Sequence, residues 1–564
     1  MPTSPARVFL ASLLVSLLLA GPAEGRAAPP TAAIASAHPL ATRAGEAVLA
    51  AGGNAFDAAV AVSAALAVVE PFGSGLGGGG FWLLHRARDG FEVVVDGREV
   101  APLGATATMF LDADDKPLPD SSLMGARAAA IPGTPAAFAW IGTRYGRLPL
   151  AQTLAPAIRL ARKGFRVDAR YVEMARLRQP ALGRNTAAAS IFLDDGKAPA
   201  EGFRLDQPGL ARTLEALVDR GRDGFYDGPV AAELVASVRA GGGIWTLEDL
   251  RRYRIAERTP QRIRYFDATI TTVPLPSAGG LTLAQALNIL REFPLATLDG
   301  GARAHLVVEA LRRAYQDRVR YLGDPAFVQV PAERLASATY AASRAANIGM
   351  ERATSSAELG ADAAAIPCGT STTHFSIVDA EGNRVAATLS LNLPFGGGFV
   401  AGTTGVLLND EMDDFAIAPG VPNAYGLVGG PPNAIAPGKR PLSSMSPTFV
   451  EDERGVLVLG TPGGSRIVSM VLLAVLDYLH DPDWTLAAMV AAPRFHHQFL
   501  PDRVEVEPED FPVAWRTALE RRGHIVTVAR RRWGNMQAVH VERASGRAQA
   551  ASDPRGQIGE RAWF

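Results

Sequence analysis

The sequence predicts a layered α/β sandwich, and three observations predict it. Strand and helix blocks alternate in the C-terminal part, a long amphipathic helical stretch fills the middle, and the glycine clusters lack a nucleotide-binding motif. With 564 residues, 48% hydrophobic and 20% charged, the chain has ordinary globular composition and ample length for a large core. Its 56 basic and 57 acidic side chains leave a formal net charge of −1, which gives no electrostatic case for a nucleic-acid or polybasic membrane partner. A small, locally bound substrate fits better.

The elements follow in order. Residues 1–25 have a basic start, an apolar run at 8–20 and small residues at 21–25, the pattern of a secretory signal removed near Gly25. The run is short for a membrane span; an uncleaved anchor is the alternative, and no other segment offers 18 uninterrupted apolar residues. Residues 41–51 and 55–69 are alanine-rich helical runs, broken by Gly52-Gly53 and ended by Pro71. The glycine cluster at 73–80 leads into a strand at 81–85, paired with 91–95 through Asp89-Gly90. Those glycines open a strand and lack a following Lys-Ser/Thr, so they read as close backbone packing or a substrate wall rather than a phosphate loop.

From 132 to 359 helices dominate, at 151–163, 210–220, 229–240, 282–292 and 301–321, with short strands near 262–273. Their amphipathic spacing implies packing rather than chemistry. Residues 352–371 are small and polar without a sustained period, an accessible loop suited to a cut.

At Thr372-Thr-His-Phe-Ser376 the pattern turns to strand. Residues 373–378 and 384–392 alternate as strands, and Ala380-Glu-Gly-Asn383 between them is turn chemistry. A loop at 379–383 places Thr372 opposite Ser390 and leaves Asn392 two residues along on the same face. A threonine hydroxyl is a weak nucleophile without an adjacent base. Cutting the bond between Ser371 and Thr372 supplies one, because the freed α-amine has a pKa near 8 and can take the hydroxyl proton. The sequence therefore predicts a precursor that cuts itself, with Thr372 as nucleophile. Cys368, the single cysteine, is the alternative N-terminal nucleophile. Its setting in Pro367-Cys-Gly-Thr-Ser371 reads as loop, and alone it forms no intramolecular disulfide.

Further on come a strand at 456–460, helices at 467–479, 485–492 and 512–522, a strand at 525–529 and a hairpin around 537–550. Gly463-Gly464 lies between strand and helix, where free backbone N–H groups and a helix N-terminus suit an oxyanion; a glycine turn with no ligand is the alternative.

Five other segments are dense in chemistry: Asn409-Asp-Glu-Met-Asp-Asp-Phe415, the loop 419–430, Lys439-Arg-Pro-Leu-Ser-Ser-Met-Ser-Pro-Thr448, Thr461-Pro-Gly-Gly-Ser-Arg466 and Asp96-Gly-Arg-Glu99. With Asn54-Ala-Phe-Asp-Ala-Ala59, residues 75–81, Pro493-Arg-Phe-His-His-Gln498 and Ala551-Ser-Asp-Pro-Arg555, the chain closely resembles the gamma-glutamyltransferases (gamma-glutamyl transpeptidases) of the N-terminal nucleophile hydrolase superfamily, from about Ala41 to Arg555. The resemblance implies a four-layer αββα sandwich formed by two fragments of one precursor, a large subunit at 26–371 and a small catalytic subunit at 372–564. It implies that Arg98 grips the α-carboxylate of a γ-glutamyl group by two parallel hydrogen bonds, with Ser443 and Ser444 as further donors. Glu411 and Asp414 would accept from the α-ammonium, Asn392 would contact the same amino-acid end, and Tyr425 would be a lid residue.

Ser390 stands where related enzymes often have threonine and keeps the hydroxyl, whereas Leu393-Pro394 departs from a frequent small polar pair on the acceptor side. His496-His497 belongs to the family's motif and reads as structural rather than metal-binding. The implied reaction transfers the γ-glutamyl group of glutathione or a related compound through an enzyme ester at Thr372 to water, an amino acid or a dipeptide. It requires no metal or organic cofactor. The two fragments would form a heterodimer, periplasmic or secreted, without a membrane span once the signal is removed. A β-lactam (cephalosporin or glutaryl) acylase on the same scaffold is the nearest alternative, and a catalytically inactive exported binding protein is one from another class.

Overall fold

Side-chain alternation along one strand decides the architecture. In Thr373–Val378, Phe375 and Ile377 join an apolar core on one side, while Ser376 Oγ donates to the Gln537 carbonyl on the other at 3.0 Å. A strand buried on both faces needs a cover on each. The computed structural model describes residue 1 and residues 31–360 and 371–563, so residues 2–25 of the expected signal and Cys368 lie outside the described residues.

The strand lies inside a seven-stranded sheet with the order Glu560–Trp563, Ala33–Ser36, Thr373–Val378, Arg384–Ser390, Gly79–Arg86, Phe91–Asp96 and Ala256–Arg258. Every neighbouring pair is antiparallel. A six-stranded antiparallel sheet faces it, in the order Ala548–Ser552, Gln537–Glu542, Gly455–Gly460, Thr448–Glu451, Ala268–Thr272 and Gln261–Tyr265. Helix Ala55–Val69 is buried along its whole length against the first sheet. Asn54 and Asp57 close a capping box at its start, and it stops at Glu70 because the residue before Pro71 is driven out of helical geometry. Helices Ala278–Leu290, Gly300–Tyr321 and Ile467–His480 cover the second sheet, and a second core runs from Phe81, Leu83 and Ala386 of the first sheet through to them. The layers are therefore helix, sheet, sheet, helix, as the resemblance implies.

The expected hairpin forms with the expected register. Val378 pairs with Arg384 and Thr373 with Leu389, and the Asp379 N–H donates to the Asn383 carbonyl at 3.0 Å. The glycine cluster is close backbone packing: a Cβ at Gly77, Gly78 or Gly80 would collide with the carbonyls of Leu407, Ser390 or Thr388.

Three expectations need correction. The strand expected over 384–392 ends at Ser390, and Asn392 has φ 76°, so it does not continue the pleat. The single helix expected over 151–163 is two, Leu150–Thr153 and Ala155–Lys163, because Pro156 starts a new helix at its N-terminal end. The loop expected over 352–371 is anchored in its first half. Thr354 N–H donates to Glu309 at 3.1 Å, Ser356 N–H to Asp502 at 2.6 Å and Ser356 Oγ to the Phe499 carbonyl at 2.6 Å. Strands Ala33–Ser36, Thr448–Glu451 and Glu560–Trp563 and helix Ala169–Leu182 have no counterpart in the sequence reading; the strands have four residues each, too few to display a period.

His374 fills the gap between the sheets. Burial pushes its pKa down to about 3, and the neutral ring bonds Thr388 Oγ1 at 2.8 Å and Ser376 Oγ at 3.2 Å. It fits because its neighbour across the gap is Gly460, where a Cβ would collide with the imidazole. Gly460→Ala is accordingly expected to cost roughly 1–3 kcal/mol by overpacking, read as a lower denaturant midpoint at unchanged m-value.

Candidate active site

Thr372 stands one residue ahead of its strand, in extension of the register that pairs 373 with 389, and this brings its Oγ1 to 3.2 Å from Ser390 Oγ. The Ser390 hydroxyl also accepts the Asn392 N–H at 2.8 Å, which fixes it in place. In the uncut chain Thr372 Oγ1 donates to the carbonyl oxygen of Ser371, so the hydroxyl already lies against the bond it is expected to cut. Ser371 Oγ is tied in turn to the Phe72 carbonyl.

A small cavity of about 20 Å³ opens beside Thr372, lined by Arg98, Ser390, Asn392, Glu411, Asp414 and Tyr425, and further by Ser443, Ser444 and Gly464. Arg98 follows strand Phe91–Asp96, and Glu411 and Asp414 sit on a single 3₁₀ turn, Glu411–Asp414. The Arg98 guanidinium is fully buried and donates to Glu411 at 2.6 Å and to Asp414 at 2.5 Å, with Glu99 at 3.4 Å. Burial disfavours its charge, but Glu411, Asp414 and Glu99 more than offset this and hold it protonated. The carboxyls feel burial most strongly. It pushes Glu411 well up and Glu99 up to about 7, against the pull of Arg98. Two of their oxygens, Glu411 Oε1 and Glu99 Oε1, have no hydrogen-bond partner among the described residues. Such a site suits a ligand carrying both a cation and a carboxylate, which can replace these contacts in kind.

Asn392 arrives by a left-handed turn rather than along the strand face, and its Nδ2 donates to the Asp410 carbonyl at 3.0 Å. Its own carbonyl accepts from Tyr425 OH at 2.6 Å, and the Tyr425 ring packs where a Cβ of Gly464 would stand. The segment bearing Tyr425 is fastened by the acidic turn: Ala424 N–H donates to Asp413 at 2.8 Å and Asn423 Nδ2 to Asp414 at 3.1 Å. Burial raises the Asp413 pKa to about 7. Gly463 and Gly464 have φ 144° and 59°, angles that side chains other than hydrogen resist, and they carry the chain from strand Gly455–Gly460 into helix Ile467–His480.

The other ten expected site residues thus gather around Thr372: nine line the small cavity with it, and Gly463 lines a second, larger cavity that Thr372 also borders. Three residues escaped the sequence reading. Glu99 was hidden beside Arg98, and Asp413 beside Asp414. Arg318, buried on helix Gly300–Tyr321 with its Nη2 3.5 Å from Ser444 Oγ, lay on a face that amphipathic spacing marked as packing. The signal available was a cationic residue on an otherwise apolar helix face.

His496 and His497 bond Ser469, Gln498 and Asp502, in keeping with a structural role. Among the described residues two groups come close enough to hold a cation, His305 with Glu309 and His524, and His85 with Glu92 and Glu451. In the first, His305 Nδ1 and His524 Nε2 bond each other at 2.7 Å and Glu309 pairs with Arg313 at 2.6 Å; in the second, Arg262 and Arg384 pair with Glu92. In both, the groups that could hold a cation are already engaged with one another or with arginines.

Comparison with known proteins decides the family. The family model described as Gamma-glutamyltranspeptidase matches residues 41–563. The chain belongs to the gamma-glutamyltranspeptidase family. A glutathione hydrolase proenzyme of Escherichia coli (strain K12) is 42% identical over 526 residues, covering 93% of this chain and 90% of the relative. One of Pseudomonas sp. (strain A14) is 44% identical over 480 residues, covering 84% and 83%. Among solved structures, a cephalosporin acylase from Bacillus halodurans superposes with TM-score 0.82 at 29% identity, covering 95% of this chain and 96% of that one. The four-layer fold is thus that of N-terminal nucleophile hydrolases.

The buried ion cluster gives a prediction with a pH signature. Arg98→Met leaves Glu411, Glu99 and Asp414 without their cation and is expected to cost about 3–5 kcal/mol at pH 8. Carboxyls that keep protons in the folded state while unfolded ones, near pKa 4.3, have lost them bind more protons when folded, so stability falls as pH rises. The deficit of the variant relative to the unmutated chain should therefore shrink as pH is lowered from 8 to 5, as measured by denaturant titration at each pH.

Proposed function

We propose that this chain is a self-cleaving gamma-glutamyltransferase with glutathione hydrolase activity, in which Thr372 is the nucleophile of both the cut and the turnover. The observation that carries the reading is the placement of Thr372 Oγ1 against the Ser371 carbonyl on one side and beside the Arg98 cluster on the other. In the cut, Oγ1 attacks the Ser371 carbonyl carbon, the amide nitrogen leaves with a proton, and water hydrolyses the resulting ester. The products are a large fragment ending at Ser371 and a small one, 372–564, with a free α-amine at Thr372. Strand pairing between Ala33–Ser36 and Thr373–Val378 supports a heterodimer of the two.

In turnover that amine takes the hydroxyl proton as Oγ1 attacks the γ-carbonyl of the donor. The oxyanion is held by the N–H groups of Gly463 and Gly464, and the amine half leaves with the proton. Water or an acceptor amine then resolves the γ-glutamyl ester. Ser390 orients the nucleophile. Arg98, Ser443 and Ser444 hold the α-carboxylate; Glu411, Asp414 and Asn392 receive the α-ammonium end; and Tyr425 closes the lid over both.

The acylase reading draws on the structural likeness, but a glutaryl side chain has no ammonium and would leave Glu411 and Asp414 unmatched. The pattern at 1–25 supports export to the periplasm or beyond; among the described residues no helix is long and apolar enough to cross a membrane.

Purified enzyme should run as two fragments, and N-terminal sequencing of the smaller should begin Thr-Thr-His-Phe-Ser. Thr372→Ala should remain one chain, and Thr372→Ser should retain both reactions at reduced rate. Hydrolysis of a γ-glutamyl anilide, with a glutaryl anilide as counter-substrate, decides between the readings: a preference for the glutaryl compound overturns the transferase, and any other N-terminus overturns the site of the cut.

A further inference from the structure

Thr372 belongs to two cavities and is the one residue their linings share. The small one holds Arg98 and its carboxylates. The other has a volume of about 430 Å³, room for a short peptide, and is lined next to Thr372 by Ser371, Phe72 and Gly463. An acyl transfer needs two such spaces. The acyl half occupies one, and the leaving amine and then the incoming amine must occupy the other.

The walls of the larger cavity are unequal in charge. Arg170, Arg555 and the consecutive Arg530, Arg531 and Arg532 face Glu70, Glu173 and Glu509. Glu173 is shared, at 2.7 Å from Arg170 and 2.7 Å from Arg531, so a single carboxylate answers two guanidinium groups. Glu70 is buried, which pushes its pKa up to about 8, so it keeps its proton at neutral pH and compensates nothing. Arg555 is committed to Glu507 at 2.6 Å and Asp553 at 3.2 Å, and Arg532 pairs with Asp510. Arg530 has no carboxylate partner among the described residues within ion-pair distance and is exposed at the cavity's edge, as is Arg531. With Arg555 and Arg532 set aside with their partners, Arg170, Arg530 and Arg531 face two carboxylates, Glu173 and Glu509, so one positive charge is in excess there, and the exposed Arg530 and Arg531 are the side chains able to close on an anion.

We propose that this second cavity is the subsite for the amine half and that Arg530 and Arg531 make it selective for anionic peptides, so that an acceptor bearing an acidic side chain besides its terminal carboxylate is preferred over its neutral isostere. The inference rests on the transferase reading. Arg530 acts as a specificity determinant, touching the acceptor far from the reacting bond.

The test is transpeptidation from a γ-glutamyl anilide to glycyl-glutamate and to glycyl-glutamine, which differ by one charge at constant shape. The ratio of their kcat/KM values in the full-length, matured enzyme is expected to be about five-fold in favour of the acid at low ionic strength and to decline toward unity at high salt, the behaviour of an exposed charge pair. In Arg530→Gln, and separately in Arg531→Gln, the ratio should fall toward one, and in Arg530→Glu it should invert. Each comparison is internal to one enzyme, so a change in specific activity or maturation cancels. A ratio of one in the unmutated enzyme, or a ratio that survives both glutamine substitutions, overturns the proposal while donor hydrolysis still stands. Absence of donor hydrolysis overturns the transferase reading, and the subsite with it.

Discussion

A nucleophile that is to become a chain end has to be held by something other than the bond that is cut, and here the antiparallel ladder does the holding. Strand Thr373–Val378 is inside the seven-stranded sheet, paired with Ala33–Ser36 on one side and Arg384–Ser390 on the other. Thr372 stands one step beyond this pairing, so its direction is set by the pleat and its neighbour across the ladder is Ser390. Severing the bond to Ser371 removes no hydrogen bond of that ladder. The same ladder joins the two sides of the proposed cut, because Ala33–Ser36 precedes it and Arg384–Ser390 follows it. A sheet built across the junction keeps both fragments in one core without a disulfide.

From that fixed point the chemistry divides into two directions with different electrostatics. Toward the donor side the groups are buried, so their charges are compensated at close range: one guanidinium among three carboxyls, with little free volume. Burying such a set is costly unless every member has a partner, and the two carboxylate oxygens without one mark where the cluster is incomplete. In the proposed reading the α-ammonium of the donor supplies the missing hydrogen-bond donors, and its carboxylate shares the Arg98 guanidinium. Toward the proposed amine side Arg530, Arg531 and Arg532 are exposed, their interactions are screened, and the space is many times larger. Tight recognition of one half and loose, charge-biased recognition of the other is what an enzyme with one donor type and several acceptors requires.

The parts of this arrangement that are local in sequence were legible in it. The hairpin register could be read because a period of two and the turn Ala380-Glu-Gly-Asn383 fix pairing within twenty residues. Helix Ala55–Val69 was legible to the residue, since Gly52-Gly53 and Pro71 bracket its alanine-rich run. The charge cluster was not legible from pattern. Arg98 meets Glu411 across 313 positions and Asp414 across 316, and no periodicity encodes such a meeting; on their own these acids read as a solvated turn. Family resemblance named Arg98, Glu411 and Asp414 but passed over Glu99, Asp413 and Arg318, whose contributions depend on burial. Asn392 lines the pocket, but not by the strand continuation expected: a left-handed turn, invisible to alternation, replaces the last step of the strand.

The glycines explain why so little of the site could be otherwise. Gly460 admits His374 between the sheets, Gly464 admits the Tyr425 ring, Gly77 lets the chain lie directly against the segment leading to Glu411, and Gly78 and Gly80 let it lie against the carbonyls of strand Arg384–Ser390. Each is a place where a backbone or ring approaches more closely than a Cβ permits. The closeness has a functional consequence. With Tyr425 bonded to the Asn392 carbonyl and its segment fastened to Asp413 and Asp414, the Tyr425 segment and the Arg98 pocket share residues. A ligand that draws Asp414 toward its ammonium group also acts on Asn423, and through it on the loop that carries Tyr425. If the pocket holds the donor as proposed, donor binding and the position of the Tyr425 segment are two readings of one hydrogen-bond network.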